Sequence, residues 1–278
     1  MEKVLQNKVA VVTGGGGVLG SAFAKELARV GAKVAIMNRT AATAQAVVDA
    51  IEAAGGKAIA VPCDVLDKAA VEKAAAEILA KLGPCDILLN AAGGNHPAAT
   101  SSKELFDPAA DDSMAGTFFD LKAEGFNAVF QLNFMGTFIP TQVFAQQMLG
   151  RQGATVINIS SMSAYHPLTK VAAYSAAKAA ISNFTEWLAV HLAPAGIRVN
   201  AIAPGFFLTE QNRTLLTNPD GSLTPRANKI ISHTPMKRFG DPRDLLGTLL
   251  WLADENAAGF VTGIVVPVDG GFNAYAGV

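Results

Sequence analysis

The pentapeptide YSAAK sets Tyr174 and Lys178 four residues apart in an alanine-rich helical pattern, so the two side chains share one face. A phenol with a pKa near ~10 handles protons poorly at neutral pH unless positive charge favours its anion. The Lys178 ammonium supplies such a charge. Upstream, Ser161 closes the apolar run in INISSMS, where a hydroxyl can donate to a carbonyl oxygen that gains negative charge during reduction. Asn133, within LNFMGTF, is placed to bridge Lys178 to a water that relays protons. Taken singly, each has an ordinary alternative: Tyr174 capping a core, Lys178 solvated, Ser161 ending a strand, Asn133 bonding within its helix. Taken together, they are an acid–base set for moving a proton on or off an oxygen.

A second stretch, TGGGGVLG at 13–20, suggests what the acid–base set works beside. Gly15, Gly17 and Gly20 satisfy GxGxxG between the first apolar run and the first amphipathic one. That arrangement makes a tight turn, brings backbone close to a pyrophosphate, and points a helix N-terminus at the anion. Gly14, Gly17, Val18, Leu19 and Gly20 are the residues expected there. The next apolar run ends in VAIMNRT, which puts Asn38 and Arg39 at the adenosine ribose with no carboxylate to accept from a 2′-hydroxyl. An arginine accommodates a 2′-phosphate, so the expected cofactor is NAD(P), with NADP slightly favoured over NAD. Asp64, followed by Val65 in CDV, is placed to meet the adenine. In the oxidised state a nicotinamide would add positive charge near Tyr174.

These residues need a scaffold. Short β-branched runs at Val9–Val12, Val34–Met37, Ala58–Val61, Ile87–Leu89, Val156–Ile159, Val199–Ile202 and Ile264–Val268 alternate with helical stretches such as SAFAKELARV and DKAAVEKAAAEILAKL. Near-continuous apolar strands suit a parallel sheet covered on both faces. The expectation is a single-domain α/β fold over 1–278: Rossmann-like, doubly wound, seven strands, helices on both faces. Two long connections break the rhythm, at about 91–125 and 204–235. Both follow strands, so both are expected over the carboxyl edge of the sheet, where ligands bind.

Composition narrows the class. Half of the 278 residues are hydrophobic, 16% are charged, and the net charge is −1, which provides no basic stripe for nucleic acid and no polybasic membrane anchor. No apolar run reaches membrane-spanning length, and the N-terminus has no signal-peptide pattern. A soluble cytoplasmic protein is expected, with Cys63 and Cys85 as small buried hydrophobes rather than redox or metal groups. No metal site is expected.

With these motifs in place, the chain resembles the short-chain dehydrogenases/reductases over nearly its whole length. The likeness rests on TGGGGVLG, Asp64, NAAG at 90–93, Asn133, Ser161, YSAAK, PG at 204–205 with Thr209, MKRFGDPRD at 236–244 and VDGG at 268–271. The resemblance implies that Tyr174 is the general acid–base, that Lys178 lowers its pKa and holds the nicotinamide ribose, that Ser161 positions the carbonyl, and that Asn133 completes a proton relay. It further implies that Asn90, Ala91, Gly93, Pro204 and Gly205 line the cofactor cleft and that Thr209 bonds the carboxamide. Family members form dimers or tetramers through the helices carrying Asn133 and Tyr174, so a homo-oligomer is expected. One departure stands out: the family pattern has glycine where this chain has Val18.

The stretches AGGNHPAAT, FFDLKAEGFNAVFQLNFMGTFIPTQVFAQQM and PGFFLTEQNRTLL resemble the short-chain type of D-mannonate oxidoreductase (fructuronate reductase). A sugar acid requires a cation for its carboxylate and partners for its hydroxyls. Arg213, Asn95 and His96 are the candidates, together with Ser161 at the reacting oxygen. Other readings are a gluconate 5-dehydrogenase or 2-keto-3-deoxygluconate dehydrogenase, a cofactor-sensing protein that has lost its chemistry, and an isomerase or lyase that uses the cofactor transiently.

Overall fold

The structure is a computed structural model, and its described residues are 3–110, 114–208 and 216–277. Seven parallel strands form one sheet: β1 Val9–Thr13, β2 Lys33–Asn38, β3 Lys57–Pro62, β4 Ile87–Asn90, β5 Thr155–Ile159, β6 Arg198–Pro204 and β7 Val265–Val268. Their order is β3-β2-β1-β4-β5-β6-β7. All seven expected runs are strands, most extended by one or two residues at an end and the last shorter by Ile264. Alternate residues of one strand feed opposite cores. Val34 and Ile36 pack on one face with Phe23, Leu27 and Leu249. Ala35 and Met37 pack on the other with Val71, Ile78 and Phe144. The sequence runs are apolar throughout because both sides of the sheet are covered.

The helices that matter for the site are α1 Val18–Arg29, α2 Ala41–Ala53, α3 Lys68–Leu82, α4 Ala123–Phe130, α5 Gly136–Met148 and α6 Ala172–Leu192. In α6, Ala173, Ala177 and Ile181 are buried at a spacing of four, which lays one stripe of the helix on the molecule. The strand order turns outward on either side between β1 and β4, so the crevice beyond their carboxyl ends is the topological switch point. Thr13 Oγ1 accepts from the backbone N–H of Ala91 and Ala92, both at 3.2 Å, and pins the two strand ends together.

Both long connections are built structures in their described parts. The first contains one-turn helices at Pro97–Ala99 and Phe118–Asp120, and is closed on itself by Ser102 and Lys103 N–H groups donating to the Gly116 carbonyl. In the second, Thr224 caps helix Pro225–Ser232 by accepting from Ala227 N–H at 3.2 Å, with Pro225 at the first position where no donor is needed. Cys63 and Cys85 are buried and unpaired, and burial pushes the Cys63 thiol up to about 11. No helix among the described residues is long and apolar enough to cross a membrane.

Candidate active site

Gly14, Gly17, Val18, Leu19, Gly20, Asn38, Arg39, Asp64, Val65, Ala91, Gly93, Ser161, Tyr174, Lys178, Pro204 and Gly205 all line one cleft of about 600 Å³ at the switch point. The glycine turn explains itself by contact. Gly14 has φ +62°, and a Cβ there would stand 2.8 Å from Ala92 backbone; one on Gly20 would meet the Gly14 carbonyl at 2.3 Å. These glycines let β1, α1 and the β4 end close on one another. Gly17 takes an extended conformation as N-cap of α1 and offers no side-chain cap, so the first N–H groups of the helix face the cleft for an anion. Val18 is the first residue of the helix and has no positive φ. A valine is therefore unstrained at this position, and the departure from the family pattern leaves the turn intact.

The cleft residues fit a dinucleotide. Besides the uncapped helix end, Asp64 lies at the far wall, its Oδ1 accepting from Leu66 N–H at 3.0 Å. The Asn38 amide nitrogen donates to Thr43 Oγ1 at 2.6 Å and to the Thr40 carbonyl at 3.3 Å, which leaves its oxygen as an acceptor. Arg39 is exposed beside it.

At the opposite end the acid–base set assembles. Ser161, two residues past β5, lines the cleft with Tyr174 and acts on its phenol to lower the pKa. The Lys178 Nζ lies 5.5 Å from the Tyr174 ring centroid and donates to the Ile159 carbonyl at 2.8 Å. Ser160 fastens the helix to the strand by donating to the Lys178 carbonyl at 3.1 Å. Asn133 occupies a π turn, Gln131–Met135, between α4 and α5. Its amide nitrogen donates to the carbonyls of Gly94 at 2.7 Å and Val129 at 2.8 Å, and its oxygen accepts from Gly94 N–H at 3.2 Å. A Cβ on Gly93 would stand 2.7 Å from that oxygen and 3.2 Å from Lys178 Nζ. Asn133 and Lys178 thus face each other across a glycine that has to be bare.

Burial dominates the electrostatics. It raises the Tyr174 phenol above its ordinary value, with Ser161 pulling the other way, and it lowers the Lys178 ammonium to about 7. The expected lowering of Tyr174 by Lys178 is therefore not what the protein alone produces. A further positive charge beside the phenol is needed to reverse the direction.

Three of the expected site residues, Asn90, Asn95 and His96, are not among those lining the cleft. Asn90 does not line the cleft: its side chain is buried, donating to Thr141 Oγ1 at 2.8 Å and Asn158 Oδ1 at 2.9 Å, and so ties β4 to β5 and α5. Asn95 donates to Thr100 Oγ1 at 2.8 Å, and His96 Nδ1 accepts from Ala98 N–H at 3.2 Å, so both side chains build their own turn outside the cleft. Thr209 and Arg213 lie outside the described residues. Leu132, Phe206 and Phe207 also line the cleft and were not singled out from sequence. The signal for the two phenylalanines was their place directly after PG at the end of β6. No cluster of three potential metal ligands occurs among the described residues.

Against known proteins, the family model for short chain dehydrogenase matches residues 8–220. The chain is 60% identical to an uncharacterized oxidoreductase, UxuB, of Bacillus subtilis, over 99% of this chain and 98% of that one. It is 32% identical to the 7alpha-hydroxysteroid dehydrogenase of Escherichia coli, over 96% and 94% of the two chains. A crystal structure from Haemophilus influenzae, of a protein provisionally described as a D-mannonate oxidoreductase with bound NAD, superposes with a TM-score of 0.95 at 51% identity, covering 99% of this chain and 98% of that one.

Proposed function

The chain belongs to the short chain dehydrogenase family, and from that premise we propose that it interconverts the ketone of D-fructuronate and the alcohol of D-mannonate with a nicotinamide cofactor. The observation that carries the reading is the meeting of Ser161, Tyr174 and Lys178 at one end of a cleft whose other end fits a dinucleotide. The sugar-acid assignment draws on the Haemophilus structure and on the loop stretches after β4 and β6.

Bound in the cleft, the nicotinamide supplies or takes the hydride and, when oxidised, carries the positive charge that Tyr174 lacks in the protein alone. The chain's own residues do the rest. The Tyr174 hydroxyl gives its proton to the ketone oxygen as the carbon gains the hydride, and takes one back in the reverse direction. Ser161 donates to the same oxygen. Lys178 holds the ribose and shares a proton path with Asn133 along the Gly93–Gly94 edge. For the cofactor, the Asn38 oxygen can accept from a 2′-hydroxyl while Arg39 can meet a 2′-phosphate. The NAD of the Haemophilus structure puts NAD first here, against the NADP preference expected from Arg39 alone. We further propose a homo-oligomer formed through the outer faces of α5 and α6, and a soluble cytoplasmic location.

The test is initial rates with NADH and NADPH on D-fructuronate, beside the oxidation products of D-gluconate and 2-keto-3-deoxy-D-gluconate. Turnover selective for D-fructuronate is expected. Equal or better rates on another sugar acid would reassign the substrate.

A further inference from the structure

Asn90 and Asn158 stand opposite each other in the register of β4 and β5. Two residues back on the same face, Leu88 and Val156 pack with Phe144 of α5 and Leu188 of α6 in an ordinary apolar core. At the carboxyl ends that core turns polar. The Asn90 amide nitrogen donates to Thr141 Oγ1 on α5 at 2.8 Å and to Asn158 Oδ1 at 2.9 Å, and the Asn158 amide nitrogen donates to Thr185 Oγ1 on α6 at 2.9 Å. None of these four residues is more than 2% exposed. A hydrogen-bonded belt thus crosses the molecule from α5 through β4 and β5 to α6.

Both ends of the belt lead to the acid–base set. Thr141 donates to the Thr137 carbonyl at 2.7 Å, and Thr137 donates to the Asn133 carbonyl at 2.9 Å. Thr185 donates to the carbonyl of Ile181, within a turn of Lys178, at 2.8 Å. Each threonine proton goes to its own helix, so each belt hydroxyl can only accept, and both amides are fixed in one orientation. Asn90 Oδ1 is left buried with no partner among the described residues. An unpaired buried acceptor costs stability, and apolar side chains of the same shape can hold helix to sheet about as well. Apolar packing has no direction, whereas a hydrogen bond weakens steeply off its axis. Geometry is therefore what the belt adds.

We infer, on the reading of Asn133 and Lys178 as one proton path, that Thr141, Asn158 and Thr185 are positioning residues that hold those two groups opposite each other across Gly93. Each helix is tied to its own strand, and the Asn90–Asn158 bond ties the two attachments to each other. None of the four belt residues lines the cleft, so the belt acts on the proton path and leaves cofactor binding alone. A belt that only stabilised the fold makes a different prediction: its loss lowers the melting temperature and leaves Asn133 and Lys178 where they are.

The experiment compares Thr141→Val and Thr185→Val, which keep shape and lose a hydroxyl, with Thr141→Ser and Thr185→Ser, which keep the hydroxyl. Crystal structures of the NAD-loaded chains are expected to show Asn133 and Lys178 displaced relative to each other in the valine variants and in their native places in the serine ones. On D-fructuronate with NADH, each valine variant is expected to lose about tenfold or more in kcat, a loss that a misplacement below about 1 Å produces. Its solvent deuterium isotope effect grows as proton transfer becomes limiting, and nucleotide binding stays native. Ile51→Ala, a core deletion on α2, lowers the melting temperature and moves none of these readouts. An undisplaced pair, a native isotope effect in both valine variants, or serine variants as impaired as the valine ones would overturn the inference. The serine arm decides where a valine variant does not fold. A native chain inert on D-fructuronate removes that substrate and leaves the belt to the crystal structures. Native turnover with an undisplaced Asn133 and Lys178 removes the belt and keeps the substrate.

Discussion

Tyr174 and Lys178 illustrate how one environment pushes two groups in opposite directions. Burial favours the neutral form of each, raising the phenol and lowering the ammonium to about 7. Tyr174→Phe removes the proton donor and should lower kcat by about 10²- to 10⁴-fold. Cofactor binding, followed by nicotinamide fluorescence, should persist, because Gly17, Val18 and Asp64 are untouched. Lys178 links stability to pH. Above about pH 7 the folded chain has lost a proton that the unfolded chain keeps up to its ordinary value of 10.5, so stability rises with pH in that window. Above 9.0 the Cys63 thiol opposes the rise, because it ionises in the unfolded chain but is held protonated to about 11 in the folded one. Thermal melts without cofactor should therefore climb between about pH 7 and 9, and Lys178→Met should melt higher at neutral pH and climb less. An unchanged slope in Lys178→Met would show that Lys178 is not the buried cation behind it.

Local structure around Asn133 depends on an irregularity. The π turn Gln131–Met135 loosens the regular ladder, so the Val129 carbonyl accepts from the Asn133 side chain. Four residues past Gly136, Pro140 brings no N–H and reinforces the irregular stretch. The β4 end meets this turn through Gly93. A methyl group there would collide with the Asn133 oxygen at 2.7 Å, with Lys178 Nζ 3.2 Å away. Gly93→Ala should therefore cut kcat by at least about tenfold while the melting temperature falls only slightly, since the collision is with the acid–base set and not the sheet core. Gly14→Ala should do the converse: its φ of +62° and the Ala92 backbone at 2.8 Å make it a fold-destabilising change of about 1–3 kcal/mol, read by urea denaturation.

At the scale of the molecule, the outer face of α5 and α6 carries an aromatic ladder. Phe134 and Phe138 meet Phe184, which stacks on Trp187, which stacks on His191. Trp187 is 58% exposed and Val190 78% exposed on this face. This is the face through which self-association is proposed, and exposed apolar patches often serve that role. Val190→Glu should shift the sedimentation coefficient toward that of a smaller species, whereas a native chain that already sediments as a monomer would remove the self-association proposal.

Much of the fold was legible because its signals are local. Strand runs such as Val34–Met37 are apolar on both faces, YSAAK has helical spacing, and the glycine turn sits between a strand pattern and a helix pattern. The cleft residues from Gly14 to Gly20, with Ser161, Tyr174 and Lys178, follow from those motifs through the resemblance they carry. Other assignments had no local signal. Asn90 and Asn95 look alike in sequence, and only the packing of Thr141 and Asn158 against one, and of Thr100 against the other, turned both away from the cleft. Likewise, nothing near Glu104 or Lys229 announces that they meet, because they come from connections after two different strands. Sequence determined which residues could do the chemistry, since spacing and residue type act within a turn or a strand. Tertiary structure decided which of them face the cleft, since burial and long-range hydrogen bonds exist only once the sheet has brought its ends together.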